Sequence, residues 1–81
     1  MRVIWKFEIT GKPIQMPRGS VLVDFAMQND CMTAWFIVDT RAENVSYEFQ
    51  VFATGQEIPD GALYVASLQD KPFVWHLFLM N

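Results

Sequence analysis

The amino-acid sequence predicts an all-β domain, built as a six- to seven-stranded antiparallel sandwich or small barrel. Apolar and polar residues alternate through residues 45–51, which is typical of a strand with one face in solvent. Gly, Pro, Asn and Asp separate several such runs, and no segment has convincing helical spacing. Residues 21–39 add a hairpin with a central two-residue turn.

The hairpin organises the chain. Its turn is Asn29-Asp30, and Asn and Asp are among the few residues other than Gly that tolerate the positive φ of a two-residue turn. A turn at this place fixes the register and puts eight apolar side chains on one face. The predicted pairs on this face are Met27–Met32, Phe25–Ala34, Val23–Phe36 and Val21–Val38. The opposite face is mixed and pairs Asp24 with Trp35.

The other elements follow from alternation and from turn residues. The sequence predicts strands at residues 3–9, 45–51, 62–69 and 73–80, a short strand at 14–16, and a loop at 52–61. Residues 73–80 are apolar on both faces, which indicates a central strand or one that packs against a partner. Residues 1–81 are therefore expected to form a single β domain.

Composition limits the partners. Three Trp, seven Phe and two Tyr are many for one small core, so we expect a homo-oligomer, dimer or higher, or a ligand site. The six Lys and Arg are scattered and the net charge is −3, which argues against nucleic-acid binding. A single cysteine, Cys31, excludes an intramolecular disulfide and fits a reducing compartment. No apolar run is long enough to span a membrane, and we expect a cytoplasmic protein.

Several motifs occur in a recognisable order. They are Ile4-Trp5-Lys6-Phe7, Met16-Pro17-Arg18-Gly19-Ser20, Gln28-Asn29, Trp35 with Val38-Asp39, Phe52-Ala53-Thr54-Gly55, Tyr64-Val65-Ala66 and Val74-Trp75-His76-Leu77-Phe78. In this series the chain resembles a family of short proteins from tailed phages and prophages, catalogued as a domain of unknown function. Ser20 and Phe36 depart from it, since the family more often has Ala and a smaller residue there. The resemblance implies a phage-encoded protein in the host-cell cytoplasm, and it implies no activity or catalytic residue.

Catalytic groups are sparse. His76 is the only histidine and lies in an apolar strand, where it is either a base or ligand donor, or a histidine satisfied by a hydrogen bond across the sheet. One histidine with scattered carboxylates is poor material for a metal site. The turn register pairs Cys31 with Gln28, which cannot act as its base. We therefore expect no enzyme activity, no metal and no cofactor.

A binding site is the better expectation. Trp35 offers either a stacking platform or interface anchor, or part of a second core between two sheets. Arg18 and the Thr54-Gly55 backbone are the best anion donors, and Trp75 and His76 from a partner strand would complete the site across a dimer. The predicted ligand-binding residues are Arg18, Trp35, Thr54, Gly55, Trp75 and His76.

The function hypothesis is a small, phage-encoded, non-enzymatic binding protein. The expected role is counter-defence, in which the protein sequesters a host nucleotide-type immune signal or blocks a host defence protein. The partner is therefore a small anionic or nucleotide ligand, or a host protein. The alternative is a virion or assembly-associated structural protein, in which the same aromatic residues form subunit contacts.

Overall fold

The computed structural model describes all residues, 1–81, and contains eight β-strands. In chain order they are β1 (Arg2–Glu8), β2 (Ile14–Pro17), β3 (Val21–Gln28), β4 (Cys31–Asp39), β5 (Asn44–Tyr47), β6 (Phe49–Ala53), β7 (Leu63–Asp70) and β8 (Phe73–Leu79). The all-β prediction is confirmed, with eight strands instead of six or seven. The fold has no helix of the length and apolar character needed to cross a membrane.

The strands form three antiparallel sheets. The N-terminal sheet has the order β1-β4-β3, the bridging sheet pairs β2 with β5, and the C-terminal sheet has the order β6-β8-β7. The N-terminal and C-terminal sheets approach each other along β3 and β7, which are not hydrogen-bonded to one another. No sheet closes into a barrel.

The predicted hairpin forms, and its turn is confirmed. Asn29 and Asp30 have φ values of 51° and 63°, which a two-residue turn of this type requires. The register matches the prediction from the turn back to the pair Asp24–Trp35. Beyond it, an irregularity between Leu22 and Asp24 shifts the pairing by one residue.

The predicted pairs of Val23 with Phe36 and of Val21 with Val38 are therefore wrong. Leu22 faces Phe36 and packs against the core, while Val21 faces Ile37 and is 57% exposed. A β-bulge inserts one unpaired residue, here Val23, and every side chain beyond it changes face.

The strand predicted at residues 45–51 is two strands that belong to different sheets. β5 pairs with β2 and β6 pairs with β8, and Glu48 lies between them. The Glu48 N–H donates to Asn81 Oδ1 at 2.9 Å, and the Glu48 carbonyl accepts from Met80 N at 2.8 Å. Because the C-terminal residues take both backbone groups, the chain changes sheets at this point. Phe52, predicted in a loop, lies in β6 and is 6% exposed.

The core lies between the sheets. Its buried members are Met16, Phe25, Ala34, Phe36, Val38, Phe49, Leu68 and Leu77. The molecule is flat, with principal extents of 39 × 30 × 17 Å. Its radius of gyration is 12.8 Å, against about 11.7 Å for a compact domain of this length. A flat shape leaves broad sheet surfaces outside the core.

Candidate functional site

A polar site built from side-chain hydrogen bonds lies on the face of the C-terminal sheet that points away from the core. Side chains alternate along β8, so Leu77 is buried in the core while His76 projects from the opposite face. Ser67 of β7 lies directly opposite His76, and Phe52 of β6 is its partner on the other side. This face is called the C-terminal outer face below.

A hydroxyl–imidazole network, formed by Thr54, His76, Ser67 and Tyr64, runs across this face. Thr54 Oγ1 lies 2.9 Å from His76 Nε2, and Ser67 Oγ lies 2.7 Å from His76 Nδ1. Tyr64 OH lies 2.9 Å from Ser67 Oγ. Both ring nitrogens of the histidine are thus hydrogen-bonded across the sheet, and three of the four side chains are exposed at the surface.

The hydrogen bonds of the network can run in either of two directions, because a neutral imidazole donates from one nitrogen and accepts at the other. With the proton on Nδ1, His76 donates to Ser67, Ser67 donates to Tyr64, and the phenol proton is free for a bound partner. With the proton on Nε2, His76 donates to Thr54, and Tyr64 donates inward through Ser67. The network therefore couples the hydrogen-bonding properties of its two ends.

Aromatic rings form the floor beside this network. Phe52 and Phe78 are 6% and 9% exposed and meet edge to face, with centroids 5.5 Å apart. Tyr64 stands edge-on against Phe78 at 5.7 Å and is 61% exposed. A large, amphipathic ring is thus presented to solvent while its base is fixed by packing and its hydroxyl by a hydrogen bond.

This geometry is suited to binding. In serine hydrolases, the catalytic histidine is hydrogen-bonded to a carboxylate that stabilises its protonated form. Here the second nitrogen of His76 is bonded to the neutral Thr54 hydroxyl instead. No group of three or more His, Cys, Asp or Glu side chains that could hold a metal ion occurs in the structure.

The structure brings two of the six predicted site residues into contact, Thr54 and His76. Gly55 follows Thr54 in a turn that the Gln56 N–H closes on the Ala53 carbonyl at 3.1 Å. Its φ of 92° is readily adopted only by glycine. Trp75 lies on the other face of β8, against the core, so it does not share a surface with His76 of the same chain.

Arg18 and Trp35 lie elsewhere. Arg18 binds Glu43, with Nε at 3.2 Å and Nη2 at 3.0 Å from Oε1, in an exposed pair. Trp35 lies in the N-terminal sheet between Lys6 and Asp24, at a shallow groove of about 470 Å³. The six predicted residues therefore do not form one site within a single chain.

Ser67 and Tyr64 were not among the predicted site residues. A two-residue turn at Lys71-Pro72 places Asp70 opposite Phe73, and counting back along the hairpin puts Ser67 opposite His76. That signal was present in the sequence. The position of Tyr64 could not be predicted by counting from the turn, because a register shift lies between Tyr64 and Ala66.

Comparison with known proteins places the chain in a family. A family model described as a domain of unknown function, DUF7352, matches residues 1–81. Neither the curated proteins nor the solved structures contain a match. The match extends over every strand and over the whole hydroxyl–imidazole network. The chain belongs to the DUF7352 family.

Proposed function

We propose that this chain is a phage-encoded, non-enzymatic binding protein that acts in the host-cell cytoplasm by occupying the surface of a host protein, in the manner of a counter-defence factor. The hydroxyl–imidazole network on the C-terminal outer face carries the proposal. It presents Tyr64, Ser67 and Thr54 side by side at the surface, each already positioned by hydrogen bonds.

The residue types fit protein recognition. Tyrosine supplies a large contact area at low cost in conformational entropy, and serine and threonine supply adaptable hydrogen bonds. The Tyr64 ring is 61% exposed but fixed at both ends, by Phe78 and by Ser67. A partner therefore meets a side chain that has little remaining freedom to lose.

A protein surface is favoured over a nucleotide-type signal. Phosphate groups are recognised mainly by arginine, lysine or clustered backbone N–H groups. The network contains no cation, and Arg18, the predicted anion donor, is hydrogen-bonded to Glu43. Small-molecule sites are also concave as a rule, and neither of the two recesses in the structure is lined by any member of the network.

Site-specific photo-crosslinking in the host tests this proposal. A photoreactive residue in place of Gln69 lies on the same face of β7 as Ser67, and the same residue in place of Gln15 in β2 is the matched control. Both glutamines are exposed strand residues. We expect one discrete adduct with a host protein from position 69 and none from position 15. Tyr64→Ala, added to the position-69 protein, should abolish the adduct.

Two results would contradict the proposal. Equal crosslinking from both positions would indicate non-specific contact, and an adduct that persists with Tyr64→Ala would place the binding surface elsewhere. Native mass spectrometry of the protein purified from the host gives a separate check. A retained mass below about 1 kDa, far smaller than any protein partner, would favour the nucleotide-type signal instead.

The open N-terminal sheet favours a second candidate, a virion or assembly-associated protein. Val21 and Ile4, at 57% and 58% exposure, leave an apolar surface of the kind that subunit contacts cover. Co-purification with assembled particles, and not with a host protein, is the result that would select this alternative.

A further inference from the structure

The outer face of the N-terminal sheet, the side away from the core, carries an ordered pattern of side chains. Ile4, Ile37 and Val21 form one row across the three strands, because Ile37 pairs with both of the others. The next row consists of Lys6, Trp35 and Asp24. The first row is apolar, and the second places a cation and an anion on opposite sides of a tryptophan.

These side chains are open to solvent. Ile4 and Val21 are 58% and 57% exposed, and Trp35 is only half-buried on the central strand. The connection from β1 to β3 lies on the other side of the sheet, where Met16 is fully buried in the core. The chain therefore supplies nothing that covers the apolar row.

The two charged groups lack partners of opposite sign. Lys6 Nζ donates to Gln28 Oε1 at 2.8 Å, and Asp24 Oδ1 accepts from the Phe25 N–H at 2.9 Å. The ion pairs of the structure involve other groups, the N-terminus, Arg18 and Arg41 with Asp39 and Glu43. A partner surface that places a carboxylate near Lys6 on β1 and an ammonium group near Asp24 on β3 would therefore form two new ion pairs.

We propose that a second copy of this chain covers this face, related by a twofold axis that runs parallel to β4 in the plane between the two sheets. Such an axis places β1 of one copy over β3 of its partner. Each row of side chains then lies opposite the same row of the partner. Lys6 then meets the partner's Asp24, and Ile4 meets the partner's Val21. Trp35 and Ile37 meet their own counterparts near the axis, as an isologous interface requires.

The charge pattern selects this axis. A twofold axis perpendicular to the strands that superposes the same two rows would instead stack β1 on the partner's β1 and place Lys6 over the partner's Ile4, so neither charged residue of these rows would meet its opposite. The face measures roughly 14 by 20 Å, from the spacing of strands and residues in sheets. An interface of that size falls below the roughly 1,200 Å² in total that stable complexes bury, so we expect weak association, with a dissociation constant on the order of tens of micromolar.

Sedimentation equilibrium on the full chain, from about 1 to about 200 µM, tests the proposal across the range expected for such an interface. The parent should shift from monomer to dimer. Ile4→Asp should weaken dimerisation at least about tenfold, since it buries a charge in the apolar row. Ile58→Asp is the matched control on an exposed isoleucine outside this face and should leave the dissociation constant unchanged.

A charge exchange tests the orientation. Lys6→Asp and Asp24→Lys should each weaken the dimer, because each places like charges across the interface. The double variant should restore most of the parent affinity. A parent that stays monomeric at the highest concentration, a dimer insensitive to Ile4→Asp, or a double exchange without rescue would each overturn the proposal. The outcome is independent of the crosslinking experiment, which probes the other sheet.

Discussion

The N-terminal and C-terminal sheets have the same topology but differ in their outer faces. In each, the first and second strands in chain order lie at the two edges and the third lies between them. In each, the last two strands form a hairpin with a two-residue turn. Each also has a register shift near the start of its second strand, at Val23 and at Val65. The outer face of the first sheet is nevertheless open, whereas that of the second holds buried aromatic rings.

The connections account for this difference. The edge strands of each sheet run parallel, so the segment joining them must cross one face, and such crossovers are almost always right-handed. The same handedness places both crossovers on equivalent faces. In the N-terminal sheet that face is the core side, where Met16 is buried. In the C-terminal sheet the equivalent face is the outer side, so we expect residues 54–62 to cross that face, and Phe52 and Phe78 are buried there, away from the core cluster. The direction of the crossover thus decides which sheet leaves the apolar residues of its outer face uncovered.

The largest expected effect concerns the filled face. Phe52→Ala should lower the free energy of unfolding by about 3–5 kcal/mol, because a buried aromatic ring is lost from beneath the crossover. Ile4→Ala, on the open face, should cost under about 1 kcal/mol when measured in the monomer. Urea unfolding of both variants makes the comparison. Phe52→Leu, which keeps most of the volume, should lose under about 1.5 kcal/mol.

If Phe52→Ala and Ile4→Ala prove equally mild, the two outer faces are equally open and the crossover does not cover the second. If Phe52→Ala unfolds completely, Phe52→Leu still allows the stability of the two outer faces to be compared.

The next effect separates the two hairpins. Asp30 has a φ of 63°, whereas proline requires about −65°, so Asp30→Pro should cost about 3 kcal/mol or more. Asp30→Gly should be neutral or slightly stabilising, since glycine adopts this conformation freely. The second hairpin has Pro72 in its turn and does not share this requirement. Melting temperatures that match between Asp30→Pro and the parent would refute the role given to this turn.

Much of the fold could be predicted, because its information is local. Alternation located the strands, and Asn29-Asp30 fixed the hairpin register as far as Asp24. The bulge at Val23 could not be predicted, since its benefit is that Leu22 enters the core, and this depends on the whole fold. The break at Glu48 depends on Asn81, a residue far along the chain.

The candidate site was harder to predict from the sequence, because its contacts depend on residues that are distant along the chain. Thr54 and His76 were singled out separately, and their contact depends on the pairing of β6 with β8, which are distant in sequence. Tyr64 joins the network only because a bulge turns it outward at Val65. The similarity of the two sheets cannot be seen in the sequence, because the equivalent faces point toward the core in one sheet and away from it in the other. Phe25 packs in one core face, whereas Ser67 at the corresponding position meets solvent.

A smaller effect distinguishes a connected network from separate hydrogen bonds. Thr54→Ala and Tyr64→Phe each remove one end of the hydroxyl–imidazole network and should each cost about 0.5–1.5 kcal/mol. Because both ends act through His76 and Ser67, the double variant should depart from additivity by at least about 0.5 kcal/mol. A double-mutant cycle by chemical denaturation measures this coupling. Strict additivity would mean that the two ends are independent, although the four side chains lie within hydrogen-bonding distance.

The smallest effect concerns the clamps that hold the chain ends. Asp39 Oδ1 at the end of β4 accepts from Arg41 N at 3.0 Å and from the N-terminal ammonium at 3.4 Å. The backbone and side-chain hydrogen bonds from Arg41 lower the pKa of Asp39 below its ordinary value of 3.8. The C-terminal clamp is neutral, since the Asn81 amide donates to Ser46 O at 2.8 Å and accepts from Glu48 N. Only the first clamp can therefore respond to pH.

A carboxyl group whose pKa is lower in the folded state stabilises the protein above its unfolded-state pKa, and this stabilisation is lost as pH falls through the folded-state pKa. The melting temperature of Asp39→Asn should thus fall below that of the parent near neutral pH, and the difference should shrink below pH 3.8 and vanish beneath the lowered pKa. Asn81→Ala should lower the melting temperature by the same amount throughout, because no proton is exchanged at its clamp. Melting curves from about pH 7 to about pH 2 cover the titration of a carboxylate. A constant deficit for Asp39→Asn over that range would show that its charge does not hold the N-terminus, and a pH-dependent deficit for Asn81→Ala would remove the contrast between the two ends.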